Sequence, residues 1–204
     1  KAISDTVDLI LSAKQPILYT GGGIINAGPE ASAVLRVLAD MMGAPVTNTL
    51  MGLGAYPASS PQWLGMLGMH GTYEANFAMN KADLILCLGA RFDDRVTGRL
   101  DAFAPNSKKV HVDIDRGSIN KIIPVDVPVV ADCGRAIEAI IAELKTRGFK
   151  KPDLSGWWTQ IDEWRARKSL DYAETGPEIM PQRAIAELFK ATKGKNVIIT
   201  TEVG

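Results

Sequence analysis

An apolar segment that ends in a glycine and a cluster of charges is the part of this sequence best suited to bind a ligand. Leu84–Leu88 is apolar throughout, and Gly89 follows it. The next charged residues are Arg91, Asp93, Asp94 and Arg95. In open parallel sheets, an apolar strand that stops at glycine and then presents charges forms a ligand-binding edge. Because both signs of charge lie here, the sequence predicts a polar partner with an anionic part.

Three consecutive glycines form a second candidate site. Gly21, Gly22 and Gly23 directly follow a predicted strand, Pro16–Thr20. Glycine lets backbone N–H groups approach an anion closely, and a helix that follows favours negative charge, so the segment suits a phosphate. The spacing is not the G-x-G-x-x-G of dinucleotide-binding proteins. From the residues alone, a nucleotide contact and a tight structural turn are equally good interpretations.

Polar side chains also follow the other predicted strands. Thr49 follows the second strand, Asp113 and Asp115 end a later one, and Asp132 closes the last. An acid at such a strand end can accept hydrogen bonds from ribose hydroxyls, although it can also form a turn. Asp132 precedes a predicted helix, where capping is the simpler role. Several strand ends that meet at one crevice are what a dinucleotide needs.

The two arginines at this edge have two possible roles. Arg91 and Arg95 could hold a phosphate or the edge of a flavin ring. Alternatively, they form surface ion pairs with Asp93, Asp94 or Asp101.

No arrangement of nucleophile and base, and no metal-ligand spacing, is evident in the sequence. His70 lies in a predicted loop and His111 within a predicted strand, where structural roles are expected for both. Cys87 and Cys133 are far apart, and we interpret them as reduced thiols in or near the core. The sequence therefore predicts no catalytic residue and no metal site in this chain.

The composition is that of a globular protein without a nucleic-acid or membrane partner. Of 204 residues, 46% are hydrophobic and 23% are charged, and 23 Lys and Arg balance 23 Asp and Glu. Nucleic-acid binding normally shows a basic surplus. No apolar run approaches the length that spans a bilayer, and no signal peptide opens the chain. We expect a cytoplasmic protein.

The elements that must position these residues alternate between strand and helix. Strands are predicted over 16–20, 45–49, 84–88, 109–115 and 127–131. Helices are predicted over 4–13, 30–42 and 72–80, and a further amphipathic helix, marked by Ile137, Ile140, Ile141 and Leu144, ends near Gly148. Residues 58–71 are predicted to form a loop. This alternation predicts an α/β fold, an open parallel sheet with helices on both faces.

The character of the chain changes after residue 149. We interpret 1–149 as one domain, 150–181 as a linker with a helix that bears Trp157, Trp158 and Trp164, and 182–204 as the truncated start of another domain. The tryptophans are expected to pack on a neighbouring domain. A strand is predicted from Val197 to Gly204, and because both ends look cut we expect an interior piece of a longer polypeptide.

Three segments carry a resemblance to a known family. Gly68-Met-His-Gly-Thr-Tyr-Glu-Ala-Asn-Phe-Ala-Met79, Leu88-Gly-Ala-Arg-Phe-Asp-Asp-Arg-Val-Thr-Gly98 and His111-Val-Asp-Ile-Asp115 closely resemble the catalytic subunit of the acetohydroxyacid synthase (acetolactate synthase) family. They match its central, Rossmann-like domain. The segments that begin at Pro16, Leu50 and Ile199 are similar as well, so the resemblance covers essentially the whole chain.

The resemblance implies an activity and a set of cofactors. Enzymes of this family have three α/β domains and condense two 2-ketoacids with loss of carbon dioxide, which begins branched-chain amino-acid synthesis. Pyruvate reacts with a second pyruvate or with 2-ketobutyrate. Thiamine diphosphate with Mg²⁺ performs the chemistry, whereas FAD, bound largely by the central domain, does no net redox work. A homodimer or homotetramer, with a small regulatory subunit in some members, is implied for the longer protein.

The resemblance also implies which residues contact FAD. They lie after successive strands: Gly21, Gly22, Gly23, Thr49, Leu50, Met51, Met69, His70, Gly71, Gly89, Ala90, Arg91, Arg95, Val96, Asp113, Ile114, Asn120, Asp132 and Cys133. Met69, Asp94 and Arg95 also match the rim of the substrate channel where sulfonylurea-type herbicides bind.

The resemblance places the catalytic machinery outside this chain. The glutamate that activates thiamine belongs to the preceding domain, and the Gly-Asp-Gly motif for magnesium and diphosphate belongs to the following one. We therefore expect the 204-residue chain to be inactive by itself. Alternatives are the middle domain of a sister thiamine enzyme, such as glyoxylate carboligase or a pyruvate oxidase, and a non-catalytic scaffold domain without cofactor.

Overall fold

The computed structural model describes residues 1–173 and 176–200. The chain divides into two units, Lys1–Ser169 and Leu170–Gly204. Unit 1 contains a six-stranded sheet and seven helices. In its described residues, unit 2 contains one helix.

Unit 1 is built on parallel strands. They are β1 (Pro16–Thr20), β2 (Val46–Asn48), β3 (Trp63–Met66), β4 (Leu84–Leu88), β5 (Lys108–Asp113) and β6 (Val127–Val130). Their order across the sheet is β3-β2-β1-β4-β5-β6, and each neighbouring pair is parallel. In this doubly wound order the chain starts in the middle, fills one side and then crosses to the other. The predicted open parallel α/β sheet is confirmed.

Helices connect the strands and cover the sheet. In unit 1 they are α1 (Ala2–Ser12), α2 (Gly22–Asn26), α3 (Pro29–Met42), α4 (Tyr73–Lys81), α5 (Asp94–Thr97), α6 (Cys133–Thr146) and α7 (Ser155–Arg165). In unit 2, α8 covers Pro181–Thr192. The end of α3 illustrates how the sequence fixes a boundary: Gly43 adopts the left-handed conformation, with φ of 65°, and its N–H donates to the Ala39 carbonyl.

Each face of the sheet has its own hydrophobic core, because neighbouring strand residues point to opposite faces. Leu18 and Leu86 pack in the core beneath α1, α3 and α6. Ile17 and Ile85 pack in the other core, beneath α4 and α7. Since β1 and β4 are buried on both faces, their sequences are continuous apolar runs rather than alternating ones. The prediction of helices on both faces is confirmed.

The predicted loop over 58–71 was wrong, because it contains β3. This strand is only four residues long, at the edge of the sheet, and its pairing with β2 is irregular. Gly65 within it has φ of 88°, a conformation outside the extended region. The strand therefore lacks both the length and the β-branched residues by which a sequence indicates a strand.

The tryptophan-bearing helix α7 packs on the sheet domain that precedes it. Trp157 and Ile161 are buried in the core beneath α4, and the Trp157 indole N–H donates to the Pro16 carbonyl at 3.1 Å. The Trp158 N–H donates to the Gly43 carbonyl at 2.9 Å. In unit 1 this helix thus completes a face of the sheet. The division of the chain at residues 149 and 181 stays a prediction.

Unit 2 does not contain the predicted strand in its described part. Residues 196–200 have no regular secondary structure, and 201–204 lie outside the described residues. A strand is stabilised by pairing with a neighbour, and the described residues of unit 2 offer none. Nowhere in the described ranges is a helix long and apolar enough to cross a bilayer.

A buried asparagine at the end of β2 fixes the loop that follows it. Asn48 is fully buried. Its side-chain amide donates to the Thr20 hydroxyl at 2.5 Å and to the Gly52 carbonyl at 2.9 Å, and its carbonyl accepts the Trp63 indole N–H at 2.5 Å. One side chain therefore joins the ends of β1 and β2 to the edge strand and to the turn Leu50–Gly52.

Replacing Asn48 by alanine should lower the free energy of unfolding by about 2–3 kcal/mol, because the Trp63 N–H and the Gly52 carbonyl lose their partner. Denaturant unfolding followed by tryptophan fluorescence would measure the loss. The control is Asn80→Ala, which removes an exposed bond to the Ala102 carbonyl and should change stability by less than about 0.5 kcal/mol. Equal losses in the two variants would contradict this account.

Candidate functional site

The carboxyl ends of β1 and β4 mark the point where the order of the sheet reverses. Chain connections leave this point in opposite directions, which opens a crevice at the strand ends. Gly21 follows β1 and Gly89 follows β4. The glycine segments singled out from the sequence are therefore neighbours at the place where doubly wound folds bind ligands.

The turns after β1 and β4 are in direct backbone contact. The Gly21 N–H donates to the Leu88 carbonyl at 3.0 Å, and the Gly23 N–H donates to the Gly89 carbonyl at 2.9 Å. A Cβ on Gly21 would lie 2.3 Å from the Gly89 oxygen, and a Cβ on Gly23 would lie 2.6 Å from the Gly89 Cα. These two glycines are needed for packing, as the structural interpretation predicts.

Gly22 is different from its two neighbours. A Cβ there would lie 3.3 Å from the Met51 Cβ and 3.4 Å from the Met51 carbonyl oxygen, so a shift of a few tenths of an ångström in the turn Leu50–Gly52 would accommodate it. Gly22 also lines a cavity. The paired turns thus form a low ridge, here called the glycine ridge (Gly21–Gly23 with Gly89), and cavities lie on both sides of it.

The larger cavity, here called the methionine cavity, has a volume of about 470 Å³. It is lined by Tyr19, Gly22, Thr49, Leu50, Met51, Met66, Leu67, Met69, His70, Ala90, Arg91, Asp93, Arg95 and Val96. Leu50, Met51 and Met69 are more than half exposed although apolar. An exposed apolar rim around a concave site is typical of a surface that a flat, largely apolar group covers.

The second cavity, here called the aspartate cavity, has a volume of about 260 Å³ and lies on the other side of the ridge. Its lining is Gly23, Asn26, Ala27, Gly89, Asp113, Ile114, Asp132 and Cys133. Two carboxylates therefore face one small space.

Each of these carboxylates has one oxygen in a local hydrogen bond. Asp132 caps α6 by accepting the Arg135 N–H, as predicted, and Asp113 accepts the Asp115 N–H at 2.8 Å. Asp115 caps the turn Arg116–Ser118 instead of lining the cavity. Of the two acids at the end of β5, only Asp113 thus belongs to the site.

The thiols are not reactive groups. Both cysteines are free and buried. Burial, with a smaller contribution from Asp132, raises the pKa of the Cys133 thiol to about 12, so it stays neutral where it lines the aspartate cavity. Burial also raises the pKa of Cys87. In the described part of the chain, no group of three His, Cys, Asp or Glu residues could hold a metal ion.

The charged loop after β4 forms local ion pairs. Arg91 contacts Asp93 at 2.5 Å and Arg95 approaches Asp94 at 3.9 Å, whereas Asp101 pairs with Arg99. The Arg95 N–H, followed by Asp94, lowers the pKa of Asp93, which caps α5. Both cavity arginines remain largely exposed. Their ion pairs are therefore weak enough to yield to an anionic ligand.

A third cavity extends this edge beyond the charged loop. It has a volume of about 240 Å³ and is lined by Arg91, Phe92, Asp93, Asp94, Ser118, Asn120, Lys121, Ile122 and Ile123. Asn120 has φ of 60°, and its side chain accepts the Val125 N–H, so it also shapes the turn before β6.

The three cavities contain all the cofactor contacts predicted from the sequence except Gly21 and Gly71. Both exceptions are packed against backbone: a Cβ on Gly71 would lie 2.5 Å from Leu67. The predicted rim residues Met69 and Arg95 line the methionine cavity, while Asp94 lines the third cavity.

Several lining residues were missed from the sequence. Tyr19, Met66 and Leu67 line the methionine cavity, and Asn26 lines the aspartate cavity. The sequence could have indicated Tyr19 as a site residue, since a hydroxyl near the carboxyl end of a mostly apolar strand needs a hydrogen-bond partner there. The sequence contained no indication of Met66 and Leu67, because the strand β3 that places them was not predicted.

Comparisons with known proteins agree with this architecture. The chain is 44% identical over 203 residues to the acetolactate synthase large subunit of Haemophilus influenzae and 42% identical over 204 residues to the isozyme 3 large subunit of Escherichia coli. It is 44% identical over 203 residues to chloroplastic acetolactate synthase 1 of Zea mays. Each match takes in 99% of this chain but 35%, 35% and 31% of the respective relative, so the chain spans about a third of their length.

The resemblance inferred from the sequence motifs is thereby confirmed. In addition, the profile of the family described as "Thiamine pyrophosphate enzyme, central domain" matches residues 3–140, a range that includes all six strands of the sheet and the glycine ridge. The chain therefore belongs to the thiamine pyrophosphate enzyme family and contains its central domain.

Proposed function

We propose that this chain is the FAD-binding part of an acetolactate synthase catalytic subunit. One observation carries the proposal: an apolar cavity and an acidic cavity lie on opposite sides of a glycine ridge, at the switch point of a doubly wound sheet. A dinucleotide has the same division into an apolar ring system, a diphosphate and a ribose-bearing half.

The residues present fit FAD in this orientation. In the aspartate cavity, Asp113 and Asp132 each retain an oxygen beyond the local bonds described above, the one on Asp113 lying 3.8 Å from the His111 Nε2, and such acceptors suit the hydroxyls of the adenosine ribose. In the methionine cavity, the polarizable side chains of Met51 and Met69 suit the face of the isoalloxazine ring. The diphosphate then passes over Gly22, where the absence of a side chain lets it approach the backbone.

The activity proposed for the longer protein is the condensation of two 2-ketoacids with release of carbon dioxide. Thiamine diphosphate, held with Mg²⁺ by other parts of that protein, supplies the carbanion chemistry when bound. The residues described here bind and orient FAD, and Met69, Asp94 and Arg95 form part of the substrate channel. We further propose a cytoplasmic homodimer or homotetramer, with a small regulatory subunit as a partner.

The position of the adenosine half of FAD can be tested through Asp113. Asp113→Asn keeps the oxygen that accepts the Asp115 N–H but removes the charge, so the fold should persist while affinity for FAD and for ADP falls about tenfold. Isothermal titration with each ligand would measure the change. The control is Asp101→Asn, an exposed residue paired with Arg99 outside the cavities, which should bind both ligands like the unmodified chain. Unchanged affinity in Asp113→Asn would argue against the orientation.

The glycine ridge provides a pair of matched variants. Gly23→Ala should lower the free energy of unfolding by about 1–3 kcal/mol, because its Cβ would lie 2.6 Å from the Gly89 Cα. Gly22→Ala meets only Met51, so its stability should change by less than about 0.5 kcal/mol, while its affinity for FAD falls. Thermal unfolding and flavin titration would separate the two effects. Normal FAD binding by a stable Gly22→Ala variant would contradict the proposed path of the diphosphate.

The purified 204-residue chain should form no acetolactate from pyruvate, even with FAD, thiamine diphosphate and Mg²⁺ added. The reason is that the family resemblance places the thiamine-activating glutamate in a preceding domain, and that in the described part of the chain no group of three His, Cys, Asp or Glu residues could hold a metal ion. A colorimetric assay of acetoin after acidification would detect product, and clear turnover would refute the expectation. Bleaching of bound flavin by pyruvate in the longer protein would instead favour a pyruvate oxidase.

A further inference from the structure

Three consecutive carbonyl groups after β4 are each held by a donor from a different element. The Gly89 carbonyl accepts the Gly23 N–H at 2.9 Å. The Ala90 carbonyl accepts from the His111 Nε2 at 2.8 Å and more weakly from the Cys87 thiol at 3.1 Å, and the Arg91 carbonyl accepts the Tyr19 hydroxyl at 2.9 Å. The segment Gly89–Arg91, here called the β4 strap, lies between the aspartate and methionine cavities, so its shape defines both.

The buried position of His111 is energetically unfavourable for a polar ring. Its side chain is 1% exposed, between Val110 and Val112, which face the opposite core. Burial lowers the pKa of the His111 ring. The hydrogen bond to Ala90 and the charge of Asp113 raise this pKa by a smaller amount, so the ring is neutral near pH 7.

The tautomer of His111 follows from its partner. A carbonyl can only accept, so the proton is on Nε2, and Nδ1 is buried without a partner among the described residues. An apolar side chain would avoid this unsatisfied atom. The one hydrogen bond that His111 gains is the bond to the strap.

Tyr19 makes the matching contact from β1. It is fully buried, its ring packs against Phe92 at 5.7 Å, and its hydroxyl reaches the Arg91 carbonyl. Burial raises the pKa of the phenol, so it remains a donor across the physiological range. Phe92 in turn contacts the His111 ring edge-on at 5.3 Å. The two donors and the first aromatic residue after the strap therefore form one packed group.

We propose that His111 and Tyr19 are positioning residues that hold the β4 strap in the shape the flavin site requires, before any ligand arrives. The inference rests on the proposed FAD site and deepens it. Neither residue is assigned a part in catalysis: His111 acts through the backbone of Ala90, and Tyr19, which also lines the methionine cavity, acts through the backbone of Arg91. Ordering the strap in advance removes part of the entropy cost that ligand binding would otherwise carry.

Four variants of this chain test the proposal. His111→Phe keeps a flat ring but removes the donor, whereas His111→Gln places an amide N–H near the position of Nε2. Tyr19→Phe removes only the hydroxyl. The control is Val112→Ala, a buried residue of the same strand whose side chain faces the opposite core. This substitution keeps the backbone bond from the Gly89 N–H to the Val112 carbonyl, so it should lower stability without releasing the strap.

The first measurement needs no ligand. Amide hydrogen exchange by mass spectrometry, on peptides that contain the strap, should be about tenfold faster in His111→Phe and in Tyr19→Phe. It should be close to the unmodified rate in His111→Gln and in Val112→Ala. Strap exchange that is unchanged in the first two variants, or equally faster in Val112→Ala, would overturn the proposal.

The second measurement is FAD affinity, expected to fall about tenfold in His111→Phe and Tyr19→Phe and to recover at least partly in His111→Gln. Full affinity in both donor-deleting variants would also overturn the proposal. If the unmodified chain bound no FAD, the proposed function would fail, whereas the exchange measurement would still decide whether these residues order the strap.

Discussion

The structure depends on the backbone contact between the turns after β1 and β4. Two adjacent strands of a parallel sheet lie close enough for their following turns to collide unless side chains are absent, and Gly21, Gly23 and Gly89 meet that condition. The bond from the Gly23 N–H to the Gly89 carbonyl then joins the two halves of the doubly wound sheet at its switch point. This ridge separates two chemically different cavities in the crevice.

The two cavities differ in polarity because different strand ends, loops and helices supply their lining residues. On the α6 side, the strand end of β5 and the cap of the helix supply Asp113 and Asp132. On the other side, the loops after β2 and β3 supply exposed methionines and leucines. The core beneath α4 and α7 reaches this edge through Tyr19, Phe92 and His111, so hydrophobic packing far from solvent determines the shape of the binding surface. The same side chains therefore stabilise the fold and shape the proposed cofactor site.

Much of this could be predicted from the sequence where the signal is local. The fully buried strands β1 and β4 are five residues long and predominantly apolar, and Gly43 marks the end of α3. The edge strand β3 could not be predicted, since its short segment is stabilised by pairing with β2 rather than by its own residues. The roles of Gly21 and Gly23 were also undecidable, because the group that excludes a Cβ there is the backbone of Gly89, distant in sequence.

A crystal structure of this chain grown with FAD tests the central claim most directly. The account predicts adenosine density beside Asp113 and Asp132, isoalloxazine density beside Met51 and Met69, and the diphosphate over Gly22. FAD bound at another surface, or confined to one side of the glycine ridge, would contradict it.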